Sequence, residues 1–334
     1  MNNAPDATNT IRLRNYQERA VNALFDYFHK HRGHPLVGMP TGSGKSLVIG
    51  DFIRRALSAY PQTRILALTH VKELVDQNAA ALLKLWTTAP VGICSAGLRR
   101  FETQFPIVFA GVGSVMNRAD ELGHRDLVLI DEAHMVSPKE TTQYQRLILA
   151  LTAVNPNVKV VGFSATLFRM GQGMLTDGGL FTDVAFDLTS REEFNALLDD
   201  GWLAPLTPKQ TATQIDTDPV KITLGEFNQK QLQKATDREA ITSAAVEELC
   251  REGHDRKRWL IFAAGIDHSD HVAETLCAAG VDAVSLHTGP TSAPRDETIN
   301  AFRAGELRAI VNNGILTTGF DCAEIDLIGM LRPT

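Results

Sequence analysis

Met39-Pro40-Thr41-Gly42-Ser43-Gly44-Lys45-Ser46 follows a short apolar run, residues 35–39, and opens a stretch of helical periodicity, residues 46–58. A glycine-bearing loop between a strand and a helix is the setting in which backbone N–H groups cradle phosphate oxygens. Gly42 and Gly44 let the main chain come close, and the helix N-terminus adds its dipole. In this reading Thr41, Gly42, Ser43 and Gly44 line the phosphates. Lys45 reaches the β- and γ-phosphates, and the Ser46 hydroxyl ligates Mg2+. The strict pattern has glycine where Met39 stands. A plain glycine turn before a helix is the alternative, and the strand–loop–helix setting argues against it.

Leu127-Val128-Leu129-Ile130-Asp131-Glu132-Ala133-His134 supplies the second half of such a site. An apolar strand carries two adjacent carboxylates to its C-terminal end, where open parallel sheets bind ligands. Asp131 can hold Mg2+ through water, and Glu132 can polarise the attacking water. Alone, an acidic pair at a strand end more often begins a solvated loop. Downstream of a phosphate loop it reads as catalytic.

Around these two stretches the chain alternates. Short apolar runs at 35–39, 64–69, 91–95, 106–110, 127–130 and 158–163 read as buried parallel strands. Helical patterns at 11–30, 46–58, 71–85 and 141–152 separate several of them. In the first helix Tyr16, Ala20, Leu24 and Phe28 form the apolar stripe. After Arg169 the composition turns rich in Gly, then in Thr, Pro and Gln, which predicts a connector or insert over 170–237 with a helix at 191–198. A second alternating unit follows: helix 240–251, strand 259–263, helix 269–279, strand 283–287, helix 295–304, and strands 308–312 and 325–331. The expected division is a loose tail at 1–10, a first lobe at 11–169, the connector at 170–237 and a second lobe at 238–334. This is an α/β protein.

Composition narrows the classes. The chain has 334 residues, 44% of them hydrophobic, enough for two ordinary cores. No apolar run approaches the roughly 20 residues that cross a bilayer, and the polar start lacks the apolar stretch of a signal peptide. Four cysteines without a Cys-x-x-Cys pair argue against zinc or a disulfide framework, so a reducing, cytoplasmic setting is expected. With 33 basic against 39 acidic residues the net charge is −6, so any nucleic acid must be held by a local groove rather than bulk attraction.

Together these motifs resemble a superfamily 2 helicase with a DEAH box, over residues 12–334. The resemblance implies two RecA-like lobes with mainly parallel sheets, ATP and Mg2+ in the cleft between them, and nucleic acid, DNA over RNA, across one face. Arg14-Asn15-Tyr16-Gln17 is similar to the adenine-reading motif, where Gln17 would bond the base edge beside Tyr16. Thr69-His70 and Gly113-Ser114-Val115 resemble nucleic-acid-gripping junctions, implying contacts from Thr69, His70 and Ser114. Ser164-Ala165-Thr166 resembles the coupling motif, giving Ser164, Thr166 and His134 that role. In residues 311–321 the resemblance places Thr317 and Thr318 on the nucleic acid, Gly319 in a tight turn by the nucleotide and Asp321 on the ribose.

Residues 69–75, 96–100 and 316–321 further resemble the RadD-like branch of bacterial repair ATPases, although no cysteine-rich zinc region is present in these 334 residues. The family carries a helix with paired arginines beyond the position of Thr334, one of them the arginine finger. The resemblance therefore implies a second lobe incomplete at its C-terminus, with strand 325–331 covered on one face and weak turnover. Rival readings are the translocating subunit of a restriction system and a nucleotide-gated nucleic-acid binder.

Other clusters read more plainly. His29, His31 and His34 lack partners at ligand spacing and suit a solvated helix end. His268 and His271 share a helical spacing that an N-cap at Ser269 or Asp270 explains without metal. Lys84, Arg99, Arg100 and Arg118 are readable as a basic strip or as ordinary solvated charge.

Overall fold

The computed structural model describes residues 11–137, 141–169, 173–209, 211, 220–223, 226–316, 320 and 322–332. The chain divides into two compact units, Met1–Leu206 and Thr207–Thr334.

In the first unit, helix α1 (Asn15–Lys30) precedes strand β1 (Pro35–Gly38). The chain then alternates through α2 (Lys45–Ala59), β2 (Ile65–Thr69), α3 (Lys72–Leu85), β3 (Val91–Ser95), β4 (Arg100–Phe101) and β5 (Ile107–Gly111). After the short α4 (Val112–Val115) and α5 (Ala119–Leu122) come β6 (Leu127–Asp131), α6 (Gln143–Val154) and β7 (Lys159–Ser164). A small antiparallel ribbon, β8 (Phe168–Arg169) with β9 (Gly173–Met174), leads to β10 (Asp183–Asp187) and α7 (Arg191–Asp199). The sheet runs β10-β1-β7-β6-β2-β5-β3-β4, parallel throughout except for β4.

Helices cover both faces of this sheet, and that is why its strands read as unbroken apolar runs. Successive residues enter opposite cores: Val37, Ala67, Leu129 and Val161 pack with α1, α2 and α3 on one side. Leu36, Leu66, Val128 and Val160 pack with α6 on the other. The four central strands β1, β7, β6 and β2 are neighbours, so the segments leaving their C-terminal ends lie side by side. Those segments are the phosphate loop, Ser164-Ala165-Thr166, Asp131-Glu132 and Thr69-His70.

The expected connector at 170–237 divides between the two units. Strand β10 pairs in parallel with β1, from Pro35↔Asp183 onward, and Tyr27 of α1 donates a hydrogen bond to Asp183. Leu197 of α7 joins the core of the first unit. Short, half-exposed and bounded by Asp183 and Asp187, β10 lacks the apolar run of a central strand.

The second unit opens with a small ribbon, β11 (Ile222–Thr223) and β12 (Glu226–Phe227), and helix α8 (Gln229–Thr236). Then come α9 (Glu239–Glu252), β13 (Trp259–Phe262), α10 (Ile266–Ala278), β14 (Ala283–His287), α11 (Arg295–Ala304), β15 (Ala309–Asn313) and β16 (Leu327–Met330). Its parallel sheet runs β14-β15-β13-β16. Trp259, Ile261 and Val311 face one core, Leu260 and Ile310 the other. Helix α10 starts at Ile266 behind an N-cap at Gly265, so His268 and His271 lie within the helix and Ser269 is not its cap. Among the described residues no helix is long and apolar enough to cross a membrane.

Candidate nucleotide site

The loop between β1 and α2 is built on two left-handed glycines. Gly42 has φ 81° and Gly44 φ 83°, conformations that glycine adopts without strain. A Cβ on Gly44 would meet the Gln17 amide, which would have to shift to admit it. Ser43 is buried, its hydroxyl donating to Pro40 O at 2.6 Å, while Thr41 is exposed. Met39, the departure from the strict glycine pattern, is fully buried in the core, and its N–H donates to Ser164 O at 2.9 Å. It therefore serves as a core residue just past the end of β1 rather than as part of the cradle. Lys45 and Ser46 begin α2, where unpaired helix N–H groups and the dipole favour an anion.

Lys45 Nζ lies 3.4 Å from Glu132 Oε1, joining the phosphate loop to the end of β6. Glu132 has φ 58° and ψ 54°, a left-handed conformation unusual for a residue with a side chain. Its backbone N–H donates to Asp131 Oδ1 at 3.0 Å, and Asn78 Nδ2 of α3 donates to Asp131 Oδ2 at 2.9 Å. Burial pushes the Asp131 carboxyl up, while the Lys45 charge and the Asn78 donor pull it down. A buried carboxylate in that position gains from a cation beside it.

Glu132 Oε2 lies 3.3 Å from His134 Nδ1, which is also 3.1 Å from Ser164 Oγ. That hydroxyl accepts from Thr166 N at 3.2 Å. The three residues expected to couple are thus one chain of contacts starting at Glu132. Arg169 fixes it from outside, donating to His134 O at 3.2 Å and to Val136 O. Beside it His70 is half-buried, and burial holds its imidazole below the usual range against the pull of Glu132. Thr69 is 2% exposed with its hydroxyl enclosed, so this arrangement presents His70 rather than Thr69 at the surface. Ser114 accepts from Ala96 N at 2.9 Å and pins the turn after β3. In the candidate basic strip, Arg100 is paired with Glu102 and Arg118 with Glu121.

Gln17, expected at the base edge, is held beside the phosphate loop. Its Oε1 accepts from Arg14 N and its Nε2 donates to Ser43 O, both at 2.9 Å, and the residue is 2% exposed. Tyr16 OH donates to the same Ser43 oxygen at 3.0 Å and accepts from Arg14 Nη1 at 2.9 Å. Both side chains donate to the Ser43 carbonyl and so brace the phosphate loop. Thr317, Thr318, Gly319 and Asp321 lie outside the described residues.

The donor set suits a nucleoside triphosphate with Mg2+. The loop offers backbone N–H groups, a lysine and a cradle that a Cβ would fill, all suited to phosphate. Among the described residues no group of three or more His, Cys, Asp or Glu could cage a metal. A cation at Asp131 and Ser46 would take its other ligands from phosphate and water, the habit of Mg2+. His271 instead pairs with Asp237 at 2.8 Å, and His34 Nδ1 accepts from Val160 N at 3.1 Å. Asn78 and Arg169 escaped the sequence reading because neither stands in a motif. Only the amide's place on a helix following Thr69 hinted at Asn78.

Residues 10–169 match the family model of the type III restriction enzyme res subunit, and residues 242–334 that of the helicase conserved C-terminal domain. A Schizosaccharomyces pombe protein described as a mitochondrial ATP-dependent helicase, irc3, is 27% identical over 331 residues, covering 95% of this chain and 52% of its own length. A Saccharomyces cerevisiae protein described as an ATP-dependent helicase, IRC3, is 24% identical over 331 residues, with 96% and 47% covered. The chain thus spans about half the length of these curated relatives. A fragment described as an HsdR subunit of a type I restriction enzyme from Vibrio vulnificus YJ016 superposes with a TM-score of 0.68 at 17% identity, covering 96% of this chain and 58% of the fragment. At that identity the likeness is one of fold.

Proposed function

The chain belongs to the superfamily 2 helicases, a family of ATP-hydrolysing enzymes with RecA-like lobes, and from that premise we propose that it hydrolyses ATP with Mg2+ and couples hydrolysis to movement along DNA. The observation that carries this reading is the meeting of Lys45 with Glu132 at 3.4 Å, with Asp131 adjoining. Lys45 and the α2 N-terminus hold phosphate charge; Ser46 and Asp131 hold Mg2+, which would neutralise charge on the phosphates. Glu132 accepts the proton of the attacking water. Bound phosphate competes with Glu132 for Lys45, so binding frees the carboxylate for that task. His134, Ser164 and Thr166 relay the state of Glu132 toward the segments that meet nucleic acid, among which we place His70, Ser114, Thr317 and Thr318.

DNA is proposed over RNA because the model matching the first lobe is that of a restriction-enzyme subunit. The same match favours a second reading, the translocating subunit of a restriction system. The test is ATP hydrolysis by the 334-residue chain with duplex DNA, single-stranded DNA or RNA, beside its Lys45→Ala variant. Stimulation by DNA above RNA is expected, and preferential stimulation by RNA would overturn the choice. Displacement of a DNA triplex without unwinding of the duplex would favour the restriction-type translocase.

A further inference from the structure

Strands β13 and β15 pair in parallel with Trp259 beside Ala309, so the residues just before them, Arg258 and Arg308, meet at one end of the second unit's sheet. That end is opposite the one where β13, β14 and β15 finish, at Phe262, His287 and Asn313. A basin of about 380 Å³ opens there, lined by residues 254–258, Gly305 and Arg308. Four of its lining side chains are arginine or lysine and one is a carboxylate, which makes it a cationic spot on a chain of net charge −6. Arg308 is fixed in place. Its Nε and Nη2 donate to the carbonyls of Gly253, His254 and Arg256, and its guanidinium lies over the Trp259 ring, 4.7 Å from the centroid. Arg258 is held more loosely. Its guanidinium takes the space a Cβ on Gly305 would fill, Nη1 donates to Lys257 O at 2.9 Å, and the buried Nε has no acceptor among the described residues. The nearby carboxylates are engaged: Asp326 accepts from Lys257 N and Arg258 N, both at 2.8 Å, and Asp255 pairs with Arg256 at 3.4 Å. Among the described residues no carboxylate forms an ion pair with the side chain of Lys257, Arg258 or Arg308.

We propose that this basin binds a phosphate-bearing anion, held by Lys257 and Arg258 with Arg308 as a fixed charge behind them. The site is separate from the phosphate loop and does not depend on that reading. A guanidinium offers parallel donors that match phosphate oxygens, and several converging cations suit a group of more than one negative charge better than a lone carboxylate. A bound anion would also relieve the cost of a buried donor that lacks an acceptor. Two sources present this chemistry, a free polyphosphate and the backbone of a nucleic acid. Residues 251–258 carry Arg251, Arg256, Lys257 and Arg258, a basic run of the kind that meets nucleic-acid phosphates.

The test follows the indole N–H signals of the whole chain by NMR, with isotope-labelled tryptophan, during titration with inorganic pyrophosphate. Trp259 Nε1 donates to Arg256 O at 3.2 Å and so reports from the basin; Trp259→Phe assigns its signal. Saturable movement of that signal is expected. Lys257→Ala and Arg258→Gln should each raise the midpoint concentration about tenfold, as loss of one charge-assisted contact does. Arg251→Gln removes an equal charge outside the basin and should leave the midpoint unchanged, as should Lys45→Ala in the phosphate loop. A single-stranded oligonucleotide acting at lower concentration than pyrophosphate would identify a nucleic-acid backbone as the source, and the reverse order a free polyphosphate. A motionless Trp259 signal would overturn the proposal. So would equal movement with sodium glutamate at matched ionic strength, or a midpoint that neither basin substitution shifts. Lys257 is exposed, so its variant decides the matter if Arg258→Gln does not fold. A response abolished by Lys45→Ala would belong to the phosphate loop and overturn the basin, whereas a silent basin would leave the loop's own nucleotide binding intact.

Discussion

The ammonium of Lys45, at the start of α2, stands 3.4 Å from the carboxylate of Glu132, which lies just past the end of β6 in a left-handed backbone conformation. Each charge offsets the other, and the backbone conformation aims the carboxylate. Holding a non-glycine residue in that region costs on the order of 1 kcal/mol or more, a cost that persists where a side chain must be aimed.

Lys45→Ala should lower nucleotide affinity by roughly a hundredfold or more, since the lysine is the charged group of the loop that meets the phosphates. The fold should survive, because the side chain serves no core. Titration with a fluorescent ADP analogue, beside a melting curve, measures both. Unchanged affinity would remove the loop from the account.

Glu132→Gln keeps the shape and the left-handed backbone but cannot accept a proton. Turnover should fall by about a hundredfold to ten-thousandfold with ATP binding retained. Single-turnover phosphate release reads the first effect and equilibrium binding the second. Turnover at the parent rate would assign the base elsewhere.

Asn78→Ala removes the side-chain donor to Asp131 Oδ2. With that donor gone, the buried carboxylate is less stable as an anion and a poorer partner for Mg2+. The Mg2+ concentration for half-maximal ATP hydrolysis should rise several-fold, with little change in melting temperature. An unaltered Mg2+ requirement would separate Asn78 from the site.

Arg125 is fully buried, and its guanidinium donates to the carbonyls of Ile65, Thr103, Phe105, Pro106 and Leu122. Burial pulls its pKa down to about 10, so it remains charged at neutral pH. Arg125→Ala should cost about 3 kcal/mol of the first unit's stability by stranding those acceptors, and Arg125→Lys somewhat less. Urea midpoints measure it; a loss under 1 kcal/mol would contradict the staple role.

Burial holds the imidazoles of His34 and His268 below their ordinary pKa; Lys159 adds to this for His34, whereas Asp237 opposes it for His268. The unfolded chain therefore takes up protons near pH 6.5 before the folded one does. These groups contribute stability that is complete above that pH and is lost as pH falls through and below it. His271, raised by its bond to Asp237, acts in the opposite sense, contributing below 6.5 and fading as pH rises through its folded value. Melting temperature should drop between pH 7 and 5.5, and His34→Gln should flatten that dependence for the first unit. A dependence unchanged by the substitution would place the proton uptake on other groups.

The alternation of strands and helices, the phosphate loop and the carboxylate pair were legible in the residues alone. A strand buried on both faces must be apolar throughout, and a loop that cradles phosphate must carry glycine, so local chemistry writes itself into local sequence. Even Asp131-Glu132, ambiguous alone, reads as catalytic once a phosphate loop precedes it. What the residues could not disclose depends on partners distant along the chain. Gln17 spends its amide on Arg14 N and Ser43 O, Arg125 staples five carbonyls, and Arg100 and Arg118 are matched by Glu102 and Glu121. Strand β10 escaped because an edge strand need bury only part of itself. Motifs are local, whereas the pairing of a polar side chain is settled only when packing brings its partner within reach.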